Sequence, residues 1–326
     1  MYHTKNIIEM KFLVSFSLFV LFHFQYSTAQ YTPRQDVLAD YEENFVNTQM
    51  YNHQIQWTGS SVNCDPGTIQ NEVFDNTLKR INFFRRLVGV DDDIVWNQTK
   101  HDKCQDLALM LKLNGLSHNP PSSWTCYTSN GAQAAGASNI STSNVVVSIE
   151  RYIADATNTR VGHRRWLLFP FAKEMGMGST NNSSSIWVVG DFEAPTTEPA
   201  FVAYPSPGYF PDPLEFPRWS FSKRNGDFSS TNIILTDENG DNIPVSTEPL
   251  ATGVGDNTIV FLPSISINTN YINGLDTYIK VEVNNVVVDG QSQNYEYEVL
   301  IIPTTYQEAE LTIQDVSCLG ESGSCI

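Results

Sequence analysis

Asn114-Gly115-Leu116-Ser117-His118-Asn119-Pro120-Pro121 and Val161-Gly162-His163-Arg164-Arg165-Trp166-Leu167-Leu168-Phe169-Pro170 are the two stretches on which the reading of this chain turns. Each follows a segment of helical apolar period, and each carries one histidine beside Gly and Pro punctuation. Before the first, Cys104, Leu107, Ala108 and Leu111 mark the buried stripe of a helix over about 99–114. Gly115 is placed to take the left-handed position past its end, and Pro120-Pro121 cannot continue it. Before the second, Val145, Ile149, Tyr152, Ile153 and Ala156 predict a helix over about 144–156 with that face inward. Pro170 stops the short turn or helix that His163 opens.

Upstream, Val73, Thr77, Leu78, Ile81, Phe84, Leu87 and Val88 recur every three or four residues, which predicts a helix ending at Gly89. Arg80, Arg85 and Arg86 fall off its apolar face. Asp91-Asp92-Asp93 reads as solvated, residues 30–66 as a polar, irregular extension, and the Ala-, Gly-, Ser- and Asn-rich 127–142 as loop. Downstream, strands are expected near 174–180 and 186–192, joined through Asn181-Asn182-Ser183.

Residues 195–217 hold seven prolines interleaved with Tyr204, Tyr209, Phe210 and Phe216. They read as a packed linker. From 218 to 303 the period changes to two: Ile279, Val281 and Val283 alternate with Tyr278, Lys280 and Glu282, and Asn239-Gly240 marks a hairpin. Six or seven short strands with regular turns predict an immunoglobulin-like β-sandwich, serving as a spacer or adhesive module.

The first 29 residues have a basic start, an apolar run from Phe12 to Phe24 and small residues at Ser27-Thr28-Ala29, the pattern of a secretory signal peptide. A full span needs ~20 apolar residues, so no membrane span is expected. The expected layout is a signal peptide over 1–29, an extension over 30–66, an α+β domain over 67–194, the linker over 195–217, the β domain over 218–303 and a tail over 304–326.

The 326-residue chain has a formal charge of −17, spread along its length, which makes nucleic acid and anionic membranes poor partners. Secretion permits disulfides. Of the five cysteines, Cys318 and Cys325 are spaced to close a small loop. Cys64, Cys104 and Cys126 are expected to give one pair and one free thiol, in a pairing that spacing leaves open. Asn97, Asn139, Asn181 and Asn182 stand in glycan-acceptor triplets. Once the leader is removed, any imidazole chemistry must come from His53, His101, His118 or His163.

Residues 74–192 resemble the CAP domain shared by cysteine-rich secretory proteins, antigen 5 and plant pathogenesis-related proteins, in its bacterial-type branch. The ordered set that carries the resemblance is Arg80-Ile81-Asn82 ending at Gly89, then Trp96, Leu116-Ser117-His118, Gly162-His163-Arg164, Leu168, Pro170 and Gly176-Met177-Gly178. It implies an α-β-α sandwich with a cleft of two histidines and two acids. His118 and His163 match the histidines. Asp155 is the best match to one acid, with Glu150 the alternative, and Ala137 or Ser138 stands where the other is lost.

Two imidazoles and a carboxylate suit an open divalent site, so His118 and His163 are candidate zinc ligands. The cleft and its rim comprise His118, His163, Asp155, Ser117 and Arg164. For Arg164 two readings stand open: a structural ion pair with an acid such as Asp155 or Glu174, or a cleft residue receiving an anion.

The expectation is a secreted, non-catalytic protein binding a small apolar or lipid-like ligand, or an extracellular protein, through this cleft. A hydrolase is the first alternative, using a metal-activated water or Ser117 with a histidine; no Gly-x-Ser-x-Gly elbow is present to favour the serine form. An adhesive role for the β domain is the second.

Overall fold

The computed structural model describes residues 31–264 and 275–304. The expected leader, the Cys318–Cys325 loop and the tail beyond Thr304 lie outside the described residues. Helices interleaved with a small sheet occupy the part up to Trp187, and strands dominate the rest, a mixed α+β chain. Among the described residues no helix is long and apolar enough to cross a membrane.

The described part of the expected extension, 31–66, is more ordered than its composition predicts. Helix α1, Arg34–Tyr41, runs into a wider π-helical turn over Glu42–Val46. Tyr41, Phe45 and Met50 are buried in the main core. Polar residues outnumber them, so the segment looks irregular when period alone is scored.

Helix α2 spans Asn71–Leu87. It buries the expected stripe, and Arg80 and Arg85 as well, both fully inaccessible. The expectation that both lie off the buried face is corrected. Arg80 reaches the Phe45 carbonyl at 2.8 Å and the Gln49 side chain at 2.6 Å. Arg85 donates to the Leu167 and Phe169 carbonyls, each at 3.0 Å. A buried guanidinium is tolerable when most of its donors meet acceptors, and these acceptors come from distant segments; Arg80 Nη1 is left without one. Arg86 is exposed and pairs with Asp40 at 2.6 Å and Asp92 at 2.8 Å. The Asp91–Asp93 run is therefore engaged, Asp93 also pairing with Lys173.

Strand β1 is Val95–Trp96, and α3 runs Gln98–Asn114 behind an Asn97 cap. Gly115 follows with φ 90°, a backbone that favours glycine. Residues 127–142, expected as loop, contain helix α4, Ser129–Ala135, and strand β2, Ser138–Ser141. Then come α5, Val145–Ala154, α6, Gly162–Leu167, β3, Glu174–Ser179, and β4, Ser184–Trp187. Ala156 lies past the end of α5 and is exposed, not inward.

The four strands form one sheet in the order β1-β3-β4-β2. Strand alternation explains its two faces. Met175 and Met177 point into the core that α2 and α5 share. Gly176 and Gly178 point at α3, where a Cβ would meet Lys100 and the Cys104 backbone at 2.2 Å. The glycines let α3 lie directly on the sheet. Beyond them, Cys104, Leu107, Leu111, Ala134, Ala135 and Ile140 form a second small core.

The later sheets begin inside the expected linker, which is corrected accordingly. Strands β5, Val202–Tyr204, and β6, Gly208–Pro211, belong to it. They precede β7 (Trp219–Ser222), β8 (Gly226–Asp227), β9 (Asn232–Thr236), β10 (Asn242–Ile243), β11 (Val245–Thr247), β12 (Thr258–Pro263), β13 (Thr277–Val288) and β14 (Gln291–Ile302). One sheet has the order β10-β9-β13-β14-β6, with β8 on β13; the other is β11-β12-β7-β5. β6 pairs parallel to β14, and β5 antiparallel to β7. The sheets meet through Phe221, 5.2 Å from Tyr295, and Phe201, 5.4 Å from Tyr297. Their core is continuous with that of α2 and α5.

Candidate functional site

Helix α5 ends where Asp155 turns left-handed, at φ 45° and ψ 41°. Val161, at φ 42°, turns the chain again into α6. A β-branched residue seldom adopts that conformation, so the intervening loop is strained at its end.

The Asp155 side chain explains how the loop is held. It is 4 % exposed. Its Oδ2 accepts from the His163 backbone N–H at 2.9 Å and from Asn158 Nδ2 at 3.2 Å. Its Oδ1 lies 2.8 Å from His163 Nδ1. A buried carboxylate is stable only with such partners. The pairing puts a proton on Nδ1 and, in the neutral ring, leaves the lone pair on Nε2.

Asn139 on β2 donates from Nδ2 to the His163 carbonyl at 3.0 Å, and the Tyr152 ring lies 5.3 Å from the imidazole. Thus backbone, ring and carbonyl of His163 are all fixed, while its side chain keeps 30 % exposure. The Tyr152 hydroxyl is buried, and burial pushes its ionisation well above the ordinary phenol range. It is a poor proton donor at neutral pH.

His118 lies in the exposed loop after α3. Its Nδ1 is 2.9 Å from the Ala135 carbonyl at the end of α4. The loop is tied by Asn114, which exchanges two 3.0 Å bonds with the Thr125 backbone, and by the Cys64–Cys126 disulfide. Cys104 is the buried free thiol of these three. Burial raises its pKa to about 11, so it is inert as a nucleophile. The two histidines contact the same short α4–β2 segment, His118 at Ala135 and His163 at Asn139.

The residues do not fit a complete zinc site. Among the described residues no group of three or more His, Cys, Asp or Glu side chains is placed to hold a metal ion. Structural and catalytic zinc sites use at least three protein ligands. Asp155 is turned to His163 with both oxygens, and Ser138, at a position where the second acid is missing, is buried against Cys104. His118 and His163 are each committed through Nδ1 to a protein acceptor.

Two further candidates are reassigned. Ser117 Oγ accepts from the Asn119 N–H at 3.0 Å and forms a local turn, with no histidine as base. Arg164 is 1 % exposed, and its hydrogen bonds go to carbonyls and a hydroxyl. It donates to Ile153, to the Arg218 carbonyl at 2.8 Å and to Ser220 Oγ at 3.1 Å, and lies 4.3 Å from the Tyr204 ring centroid. Burial lowers its pKa to about 10, which leaves it charged. It clamps α5 to β7. Arg165 does the same farther along, reaching the Asp256 carbonyl at 2.7 Å. Asn139, a glycan-acceptor position by sequence, is 2 % exposed and committed to His163; a glycan has no room there in the folded chain.

The expected site residues include none of the aromatic side chains that follow His163 in sequence, and Trp166, read as packing inward, is half-buried. Trp166 lies three residues after it on α6, and its ring runs parallel to Phe192 at 6.0 Å. The i, i+3 spacing was the available signal; Phe192, from another segment, had none.

No family model matches the chain, and no curated protein matches it. Among solved structures, the chain is similar to PcoC, a methionine-rich copper resistance protein from Escherichia coli, and to its selenomethionine form. They are 13 % and 14 % identical over 30 % of this chain and 92 % and 94 % of theirs, each with a TM-score of 0.23. A likeness of that size carries no argument about this chain.

Proposed function

We propose that this is a secreted CAP-domain protein that binds, without transforming, a small apolar ligand or an extracellular protein at the face displaying His163 and His118. An immunoglobulin-like module built from β5 to β14 accompanies it. The ordered motifs of residues 74–192 support the family reading. So does a sheet with α2 and α5 on one side and α3 and α4 on the other. The disulfide suits an oxidising compartment.

The observation that carries the binding reading is the full commitment of Asp155 to His163. The imidazole is half-buried, with the buried Tyr152 ring 5.3 Å away. A nucleophile or a complete ligand set is what a catalytic reading requires, and Ser117 and Asp155 are both engaged elsewhere. Purified protein incubated with a fluorescent fatty acid or sterol is expected to retain it, and the His118→Ala/His163→Ala double variant to retain less. Equal retention by both proteins counts against this face.

One observation favours a hydrolase as the second reading. The Asp155–His163 bond is the arrangement that makes an imidazole a general base. A hydrolytic activity lost in His163→Ala and kept in Ser117→Ala would support it, through water as nucleophile.

A further inference from the structure

A cavity of about 140 Å³ lies where α1, α2 and β6 meet. Helix α1 brings Asp36, Val37 and Asp40 to it, α2 brings Phe83, Arg86 and Leu87, and β6 brings Tyr209. Val37 and Phe83, 7 % and 1 % exposed, form its inner side, and Leu87 and Tyr209 are half-buried. An apolar cavity of about 150 Å³ holds a benzene molecule, so this one has room for a single ring-sized group.

The charges that line it decide the sign of its occupant. The Arg86 fork closes on Asp40, Nε to Oδ2 at 3.0 Å and Nη2 to Oδ1 at 2.6 Å, and Nη1 reaches Asp92 at 2.8 Å. Asp40 also accepts from Asn44 at 2.7 Å. Asp40 and Arg86 therefore offset each other, and both are engaged. Asp36 stands one turn before Asp40 on α1 and is exposed. Its carboxylate has no hydrogen bond or ion pair among the described residues. Arg34, on the same helix, pairs instead with Asp276 at 3.2 Å. A carboxylate left open at an apolar cavity repels anions and favours a cation.

We propose that this cavity binds a small primary amine with a ring-sized apolar body. The body packs against Val37, Phe83, Leu87 and the Tyr209 ring, and the ammonium pairs with Asp36. Burial of the body supplies most of the attraction, and the exposed carboxylate selects the charge. None of the residues that line this cavity belongs to the His163 face, so the proposal goes beyond the reading of that face and does not rest on it.

The test titrates the full chain with phenethylamine at physiological salt and follows the methyl resonances of Val37 and Leu87. Phenylethanol, phenylpropionate and methylamine are titrated alongside. Phenethylamine is expected to shift both sets of methyls and to bind tightest, phenylethanol more weakly and phenylpropionate weakest. Methylamine, which lacks the body, is expected to leave the methyls unmoved. Asp36→Asn is expected to weaken phenethylamine about two- to fivefold, the size of an exposed ion pair, and to leave phenylethanol unchanged. Leu87→Trp fills the cavity and is expected to abolish binding of both. Asp36→Asn changes an exposed position and carries the test alone if Leu87→Trp does not fold. The proposal is overturned if phenylpropionate binds as tightly as phenethylamine, if wild type and Asp36→Asn bind the amine equally, or if millimolar amine moves neither methyl. The His118→Ala/His163→Ala variant is expected to bind phenethylamine as wild type does. Loss of binding there places the amine at the histidine face and also overturns the proposal, whereas fatty-acid retention reports on that face separately.

Discussion

Asp155 holds His163 by two bonds, one from each carboxylate oxygen, to the ring Nδ1 at 2.8 Å and to the backbone N–H at 2.9 Å. A side chain at the end of α5 thereby sets both the start of α6 and the tautomer of the exposed imidazole.

Replacing Asp155 separates these roles. Asn tolerates the left-handed backbone and keeps one acceptor, whereas Ala keeps neither advantage. Asp155→Ala is expected to destabilise by about 2–3 kcal/mol, the cost of stranding donors that served a charged acceptor. Asp155→Asn is expected to cost less. Urea unfolding gives the two values, and a nitrogen-15 spectrum of His163 reads the tautomer directly.

Arg164 is the corresponding clamp between the halves. Arg164→Met strands the Arg218 carbonyl and Ser220 Oγ, and a loss of about 3 kcal/mol or more is expected when one side of such a buried network is removed. Lys does not rescue it, because one ammonium cannot replace the planar fork that spans Ile153, Arg218 and Ser220. Denaturant midpoints of the Met and Lys variants check both statements.

The Cys64–Cys126 bridge closes a loop with a sequence separation of 62. Loop-closure entropy for that length sets an expected loss of about 4 kcal/mol in a Cys64→Ser/Cys126→Ser variant. Thermal unfolding with and without reductant should reproduce the difference in wild type and abolish it in the variant.

Acid should weaken the fold through His101. This ring is 6 % exposed, packed against Phe74 and Trp96, and its Nδ1 accepts from the Met177 N–H at 2.9 Å. Burial lowers its pKa from the ordinary imidazole value. The unfolded chain then takes up the proton first, so this contribution to stability is complete above pH ~6.5 and is lost as pH falls through the folded value. Unfolding free energies from pH 7.5 to 5 should fall less steeply in His101→Gln.

The expected module boundary at residue 218 omits two strands. A fragment 218–303 lacks β5 and β6, which pair with β7 and β14, and is expected to be unfolded by circular dichroism. A fragment beginning at 195 restores those pairings and should recover β structure.

The elements with a strong period were legible from the chain. These are α2, α3, α5 and the long β13, where three- or two-residue spacing of apolar side chains survives any local substitution. The strand over Glu174–Ser179 was legible too, from its strand signals and the Asn181-Asn182-Ser183 connection; that its glycines face α3 needed the structure. What escaped has one physical cause: partners distant in sequence. Arg80, Arg85 and Arg164 are charged residues whose burial depends on carbonyls from other segments. Residues 195–217 read as linker because proline lowers strand propensity, yet edge positions accept it, and Pro211 sits in β6. At the site, the family resemblance named Asp155 and His163 as residues of one cleft; that the two are hydrogen-bonded to each other came from the structure. The commitment of Asn139 and the aromatic row reaching Phe192 needed the three-dimensional arrangement.

The central claim is that the His163 face binds and does not transform its ligand. Its most direct test is mass analysis of what the purified protein retains and releases after incubation with a fatty-acid ester at micromolar concentration. The account predicts retained ester, released chemically intact on extraction, with less retained by the His118→Ala/His163→Ala variant. Release of free fatty acid and alcohol by wild type, abolished in the variant, would contradict it.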